Sequence, residues 1–247
     1  METSFLRDAI DRITDLARPF TMEADGHKFC SKALLEVKAE EFSPTVYEVD
    51  TLDALVKLIL TEGLTLGRML YVRVDSARKV TVATTYNGGE LRNPYERFPL
   101  YEAMSDVPGV TIGRSMSQEQ AIVELQSLYA VTTDRDYLLA LLSRIDVNQG
   151  VSTVDNGVSQ EVSVKTGAVL KEQQTVQPIV HLQPYRTFLE VEQPVSDFLL
   201  RLDKEGHPAL YEADGGAWKL EAKRSIAAYL AEKLADQVER GDVVVLV

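Results

Sequence analysis

Along this chain the spacing of apolar residues switches repeatedly between the helical period and the two-residue period of strands. That alternation constrains the fold more than any single motif. Phe5, Leu6, Ala9, Ile10, Ile13 and Leu16 recur at helical spacing, with Arg7, Asp8, Asp11, Arg12 and Asp15 filling the opposite face, which predicts an amphipathic helix over residues 3–17. Pro19 stops it, having no amide to continue the ladder. Phe20 to Ser43 stays undecided, because Ala33 to Ala39 suits a short helix or a strand. Val46 and Tyr47 then begin a β-rich run. Asp50 or Thr51 caps a helix whose apolar face is Leu52, Leu55, Val56, Ile59 and Leu60, ending at Gly63.

The strongest strand signals follow. Met69 to Val74 and Val80 to Thr85 alternate β-branched and polar residues around Asp75-Ser76-Ala77-Arg78, the pattern of a hairpin, and Asn87-Gly88-Gly89 marks the next turn. Residues 90–112 carry Pro94, Pro99, Pro108 and Gly109 and read as irregular, with some order over Phe98 to Met104. Ser117 with Glu119 and Gln120 opens a helix carrying Ile122, Leu125, Leu128 and Tyr129. A second helix, capped by Thr133 or Asp134, presents Tyr137, Leu138, Leu141, Leu142 and Ile145.

After Gly150 the chain becomes β-rich. Val151 to Val164 alternates around Asn156-Gly157, a hairpin turn. Further strands are expected at Thr175 to Leu182, Phe188 to Val191, Ser196 to Leu202 and Ala217 to Leu220, the last after the turn Asp214-Gly215-Gly216. Ile226, Tyr229, Leu230, Lys233, Leu234 and Val238 outline a long helix ending at Gly241, and the wholly apolar Val243 to Val247 reads as a final buried strand. The sum is an α+β fold: a mixed half over 1–150 with a helical middle, then a β-rich half over 151–247 closed by a helix and a strand, the two forming separate or continuous domains.

Composition narrows the function classes. A chain of 247 residues buries a core without disulfides or metals, and its one cysteine, Cys30, forms no internal bridge. With no basic, apolar leader at Met1 to Asp8 and no apolar run of roughly 18 residues, the expected compartment is the cytoplasm, with no membrane partner. A net charge of -12 argues against direct nucleic-acid binding, which needs clustered Lys and Arg. The acids are densest from Glu36 to Asp53. They form either a solvated surface or one that imitates nucleic acid.

No catalytic residue, metal site or cofactor site emerges. His27, His181 and His207 lie far apart in sequence, without zinc-ligand spacing. On a helix, His27 and Cys30 would meet as a thiolate–imidazole pair, but no oxyanion donor or third orienting group can be placed. Asn87-Gly88-Gly89 and Asp214-Gly215-Gly216 lack the continuation of a phosphate loop. The nearest approach to metal-dependent nuclease chemistry is Asp25 with Glu36-Val37-Lys38, or Asp214 with Glu221-Ala222-Lys223. Tyr185, Arg186 and Phe188, beside Pro184, have the composition of a partner-binding hot spot, or else of a packed turn. Trp218 reads as core.

The hairpin Leu70 to Asp75 with Val80 to Val82, the turn Gln183-Pro184-Tyr185-Arg186-Thr187-Phe188, and the closing helix and strand ending Gly241-Asp242-Val243-Val244-Val245 together resemble the YfdQ-like family of phage and prophage proteins. The resemblance runs from about Thr45 onward and excludes the first 44 residues. It implies a phage origin among early or DNA-handling genes and a host-cell cytoplasmic location, and it supplies no catalytic residues. The resulting expectation is a non-enzymatic accessory protein that self-associates and acts on a host or phage protein, in DNA handling or counter-defence. Its rivals are a metal-dependent nucleic-acid-processing enzyme, a virion component and an acidic DNA mimic.

Overall fold

The structure, a computed structural model, is α+β and describes residues 2–18, 21–24, 27–30, 45–85, 97–143, 151–155, 160–166, 169–203 and 206–247. Its contacts divide the chain into two units, Met1–Ser43 and Pro44–Val247. The first contains α1 (Glu2–Ala17) and an antiparallel pair, β1 (Thr21–Ala24) with β2 (His27–Cys30). The undecided stretch after Phe20 therefore begins as a hairpin. Pro19 and residues 31–44 lie outside the described residues.

The second unit runs through position 150, where the sequence turns β-rich. Its largest sheet has the order β13-β4-β5-β6-β3, from β3 (Tyr47–Val49), β4 (Leu70–Ser76), β5 (Lys79–Thr84), β6 (Pro99–Met104) and β13 (Val243–Leu246). The expected hairpin is β4–β5, tightened to a turn at Ala77-Arg78 because Ser76 pairs with Lys79. Leu70, Val72, Val74, Val80, Val82, Tyr101 and Ala103 point to one face and are buried there against α2 (Leu52–Thr61) and α5 (Ala217–Lys233). The other face is half-exposed and carries the ion pairs Arg73–Asp75 and Lys79–Glu102. One dry and one wet face explain the clean alternation along β4 and β5.

The order expected over Phe98 to Met104 within the irregular stretch is β6. Pro99 sits at the first position of the strand, where a missing amide is tolerated. Thr51 caps α2, its Oγ1 accepting from the Ala54 amide at 3.2 Å. Leu60 is exposed instead of joining the apolar face, and Gly63 opens a 3-10 turn that ends at left-handed Gly67.

A second sheet, β10 (Ile179–Leu182), β11 (Ser196–Leu202) and β12 (Pro208–Glu212), packs with α3 (Gln118–Leu128) and α4 (Thr133–Leu142) around Leu125, Tyr129, Leu138, Leu142, Phe198 and Leu200. Ser117 and Gln120 form the anticipated capping box. Thr132, not Thr133 or Asp134, caps α4. Its backbone is extended and its Oγ1 accepts from Arg135, while Asp134 accepts from the His181 amide at 2.7 Å. A third sheet is the meander β7 (Val151–Asp155), β8 (Gln160–Thr166) and β9 (Val169–Val176). β7 and β8 pair as the expected hairpin with Asp155 opposite Gln160, the turn itself lying outside the described residues. The single strand expected over Thr175 to Leu182 is divided at Pro178 between β9 and β10.

Three further expectations fail for physical reasons. Ala217 to Leu220 is the first turn of α5, whose N-cap is left-handed Gly216; Asp214 accepts the amides of Gly216 and Trp218 and so ties the turn into the helix. β13 is an edge strand, and only Val243 of it is fully buried. Phe188 to Val191 is a turn, not a strand, because a side chain takes the place of a neighbouring strand. The buried Gln193 carboxamide accepts from the amides of Arg186 and Thr187 and donates to the carbonyls of Phe188 and Val191.

Gln193→Leu preserves volume but leaves those buried amides and carbonyls unpaired, and each orphaned group costs on the order of 1–3 kcal/mol. We expect it to lower the urea-unfolding free energy by about 2–4 kcal/mol, whereas Glu192→Ala, on the exposed neighbour, should change it by less than about 0.5 kcal/mol.

Candidate functional site

The segment from Gln183 to Asp197 crosses between the two cores of the second unit. Its first half is fastened to the end of α3 and the residues just after it by Ala130 N–H to the Gln183 carbonyl and Tyr185 N–H to the Leu128 carbonyl, both 2.9 Å. Phe188 enters the core of the large sheet, and the Thr187 hydroxyl donates to the carbonyl of Ala77 in the β4–β5 turn. Between these anchors Arg186 is buried.

A buried guanidinium is costly unless its charge and donors are met. Here Nη1 donates to Glu212 Oε1 at 2.8 Å, Nη2 donates to Ser196 Oγ, and Cζ lies over the Trp218 ring, 3.7 Å from its centroid. Trp218 Nε1 donates to the same Glu212 oxygen at 3.0 Å. Burial works to strip the proton from Arg186 and holds its pKa below the ordinary value, while the carboxylates of Glu212 and Asp214 work to keep it. Burial also acts to raise the Asp214 carboxyl, yet donation from Gly216, Ser196 and Trp218 and the nearby Arg186 outweigh it and hold Asp214 below the usual carboxylate range. The buried Tyr129 hydroxyl, without a partner among the described residues, is pushed up by burial and by Glu124.

These contacts remove Arg186 and Phe188 from the surface. They form a packed turn, and of the three expected partner-binding residues only Tyr185 keeps partial exposure. Trp218 is corrected in the other direction. It is half-buried, with one ring face on Arg186.

Outside this cluster opens a groove of about 430 Å³. Glu192, Asp197, Asp214 and Glu221 line it together with Trp218, and no Lys, Arg or His does. The exposed Val195 lies on its wall. Four carboxylates therefore line one concave place without gathering as a metal-binding cluster among the described residues.

The groove does not assemble the nuclease pattern. Asp214 is engaged by the amides of Gly216 and Trp218, and Glu221 and Lys223, two residues apart on α5, project to different sides. Lys223 does not line the groove. Among the described residues no three potential metal ligands converge. His181 pairs with Asp197 at 2.7 Å and His207 with Asp203 at 3.3 Å. His27 and Cys30 lie on extended β2, without the helical spacing that would align them. Asp25, Glu36 and Lys38 lie outside the described residues, as does the first half of the acidic run; within its described part, Asp53 accepts from the Tyr229 hydroxyl.

Sequence reasoning missed Gln193, Ser196 and Glu212, none of which stands in a local motif. Asp214 was within reach, since Asp-Gly-Gly before a helical run is a capping signal. In comparisons with known proteins, no family model, no curated protein and no solved structure matches this chain.

Arg186→Met keeps the stem and removes the charge. Because Glu212 retains partial access to water, we expect a loss of about 2–4 kcal/mol in denaturant unfolding. A depressed native carboxyl contributes stability above its unfolded pKa and loses it as pH falls through the native value. Stability should therefore decline below the ordinary carboxylate range, and Asp214→Asn should flatten that decline in pH-dependent melts.

Proposed function

We propose that this chain is a non-catalytic accessory protein, of the phage type that the YfdQ-like resemblance implies, which self-associates and works by holding a basic segment of a partner protein. The observation that carries this reading is the groove beside Arg186. Four carboxylates face a concavity without a lining cation, next to an indole ring held in place from behind. A Lys or Arg side chain meets opposite charge there, and an aromatic surface for its stem or guanidinium. An anionic ligand such as a nucleic-acid phosphate would meet only repulsion. Excess acid over the whole chain adds long-range steering toward a basic partner. The rival built on Asp214, Glu221 and Lys223 lacks support, because the groove holds those acids without the lysine that chemistry calls for.

Trp218 is the sole tryptophan, so its emission reports on the groove directly. A short oligo-arginine peptide should shift that emission saturably in low salt. The shift should vanish near 0.5 M salt, where screening acts within about 4 Å. The double substitution Glu192→Gln with Glu221→Gln should weaken binding about five- to tenfold. Binding that ignores both salt and the double substitution would remove the groove from the reading. Magnesium-dependent cleavage of DNA or RNA that is lost in Glu221→Gln would show a catalyst instead.

A further inference from the structure

Where α3 and α4 cover the second sheet, Leu125, Leu138, Leu142, Leu200 and Leu210 surround a cavity of about 20 Å³. Only two of its lining residues, Glu124 and Tyr129, carry polar side chains. Tyr129 stands at the end of α3 and is 2% exposed, and its hydroxyl has no partner among the described residues. Glu124, earlier on the same helix, is half-buried. Its Oε1 accepts from the Thr111 amide at 2.5 Å, which engages one of the two carboxylate oxygens.

The two polar groups act on one another without touching. Burial first, and then the Glu124 charge, raise the Tyr129 pKa, so the hydroxyl keeps its proton and remains a donor. No direct hydrogen bond joins it to that carboxylate. A buried donor left alone costs more than a made bond returns, so the separation calls for an intermediary. A single water needs roughly 10–15 Å³ and at least two polar partners, whereas a cavity that stays dry has apolar walls throughout. This cavity supplies the volume, one donor and one acceptor.

We infer that this cavity is a binding site for one ordered water, which accepts from the Tyr129 hydroxyl and donates to the Glu124 carboxylate. The volume between the leucines admits nothing much larger. Through Glu124 the water joins the Thr111 backbone to the end of α3, where Ala130 N–H holds the Gln183 carbonyl and the Leu128 carbonyl holds Tyr185 N–H. Two segments far apart in sequence, one at Thr111 and one starting at Gln183, are thus tied to the same helix end. The site shares no lining residue with the acidic groove, and it does not depend on the proposed function.

A crystal structure that resolves ordered water tests this, read together with urea unfolding of Tyr129→Phe. The expected density is a single oxygen about 2.7 Å from both Tyr129 Oη and a Glu124 carboxylate oxygen, and absent from Tyr129→Phe. The variant should lose about fivefold in its folding equilibrium constant, because the water surrenders a bond and the carboxylate faces the cavity alone. A hydroxyl that truly lacks a partner gives the opposite sign, since removing it relieves a buried polar group. A parent cavity without density, a direct Tyr129 to Glu124 bond, or a Tyr129→Phe chain at least as stable as the parent overturns the inference. If Tyr129→Phe does not fold, the parent crystal alone decides.

Discussion

The interior cation Arg186 is the constraint around which the second unit is arranged. A guanidinium placed between two apolar cores needs its partners before those cores close, and the partners come from separate elements: Ser196 opening β11, Glu212 closing β12, and Trp218 and Asp214 at the start of α5. Lysine would not serve, because a single ammonium can neither stack flat on an indole nor reach a hydroxyl and a carboxylate from one fixed plane. Satisfying this one side chain therefore fixes where β11, β12 and α5 meet.

Gln193 does for the backbone what Glu212 and Ser196 do for the charge. The Gln183 to Asp197 segment is mostly interior, and interior backbone must find hydrogen bonds. It has no neighbouring strand from Arg186 to Val191, so the carboxamide supplies both acceptor and donors. With Thr187 bound to the β4–β5 turn and Tyr185 bound to α3, the segment ties the two sheets together without belonging to either.

How much of this was legible follows from the range of each interaction. Local signals held: the periodicity of α1, the β4–β5 alternation, the Thr51 cap and the Ser117–Gln120 box all act within a few residues. Errors arose where a distant partner decided. Phe188 to Val191 has strand composition but is folded by Gln193, and Ala217 to Leu220 follows two glycines that look like a hairpin turn but lead into a helix, with Asp214 accepting the amides of Gly216 and Trp218. Valines at 243–247 suggest complete burial, yet an edge position covers only one side. The site was the least legible part. The hot-spot reading found Arg186 but not that it faces inward, and the surface it supports is made by residues from Glu192 to Glu221 that share no local pattern.

Charge connects the interior of the molecule with its surface. Holding Arg186 draws Glu212 and Asp214 toward the junction, and Asp214 sits both in that network and on the groove wall. Glu192 and Glu221 add to the same side, as does Asp197, which pairs with His181 outside the lining. The buried positive charge lies behind Trp218 and is already matched by its own carboxylates, so it does not neutralise the outer acids. The groove's negative potential is in this sense a by-product of stabilising the core, and a basic partner would complete on the outside the charge balance that Arg186 achieves within.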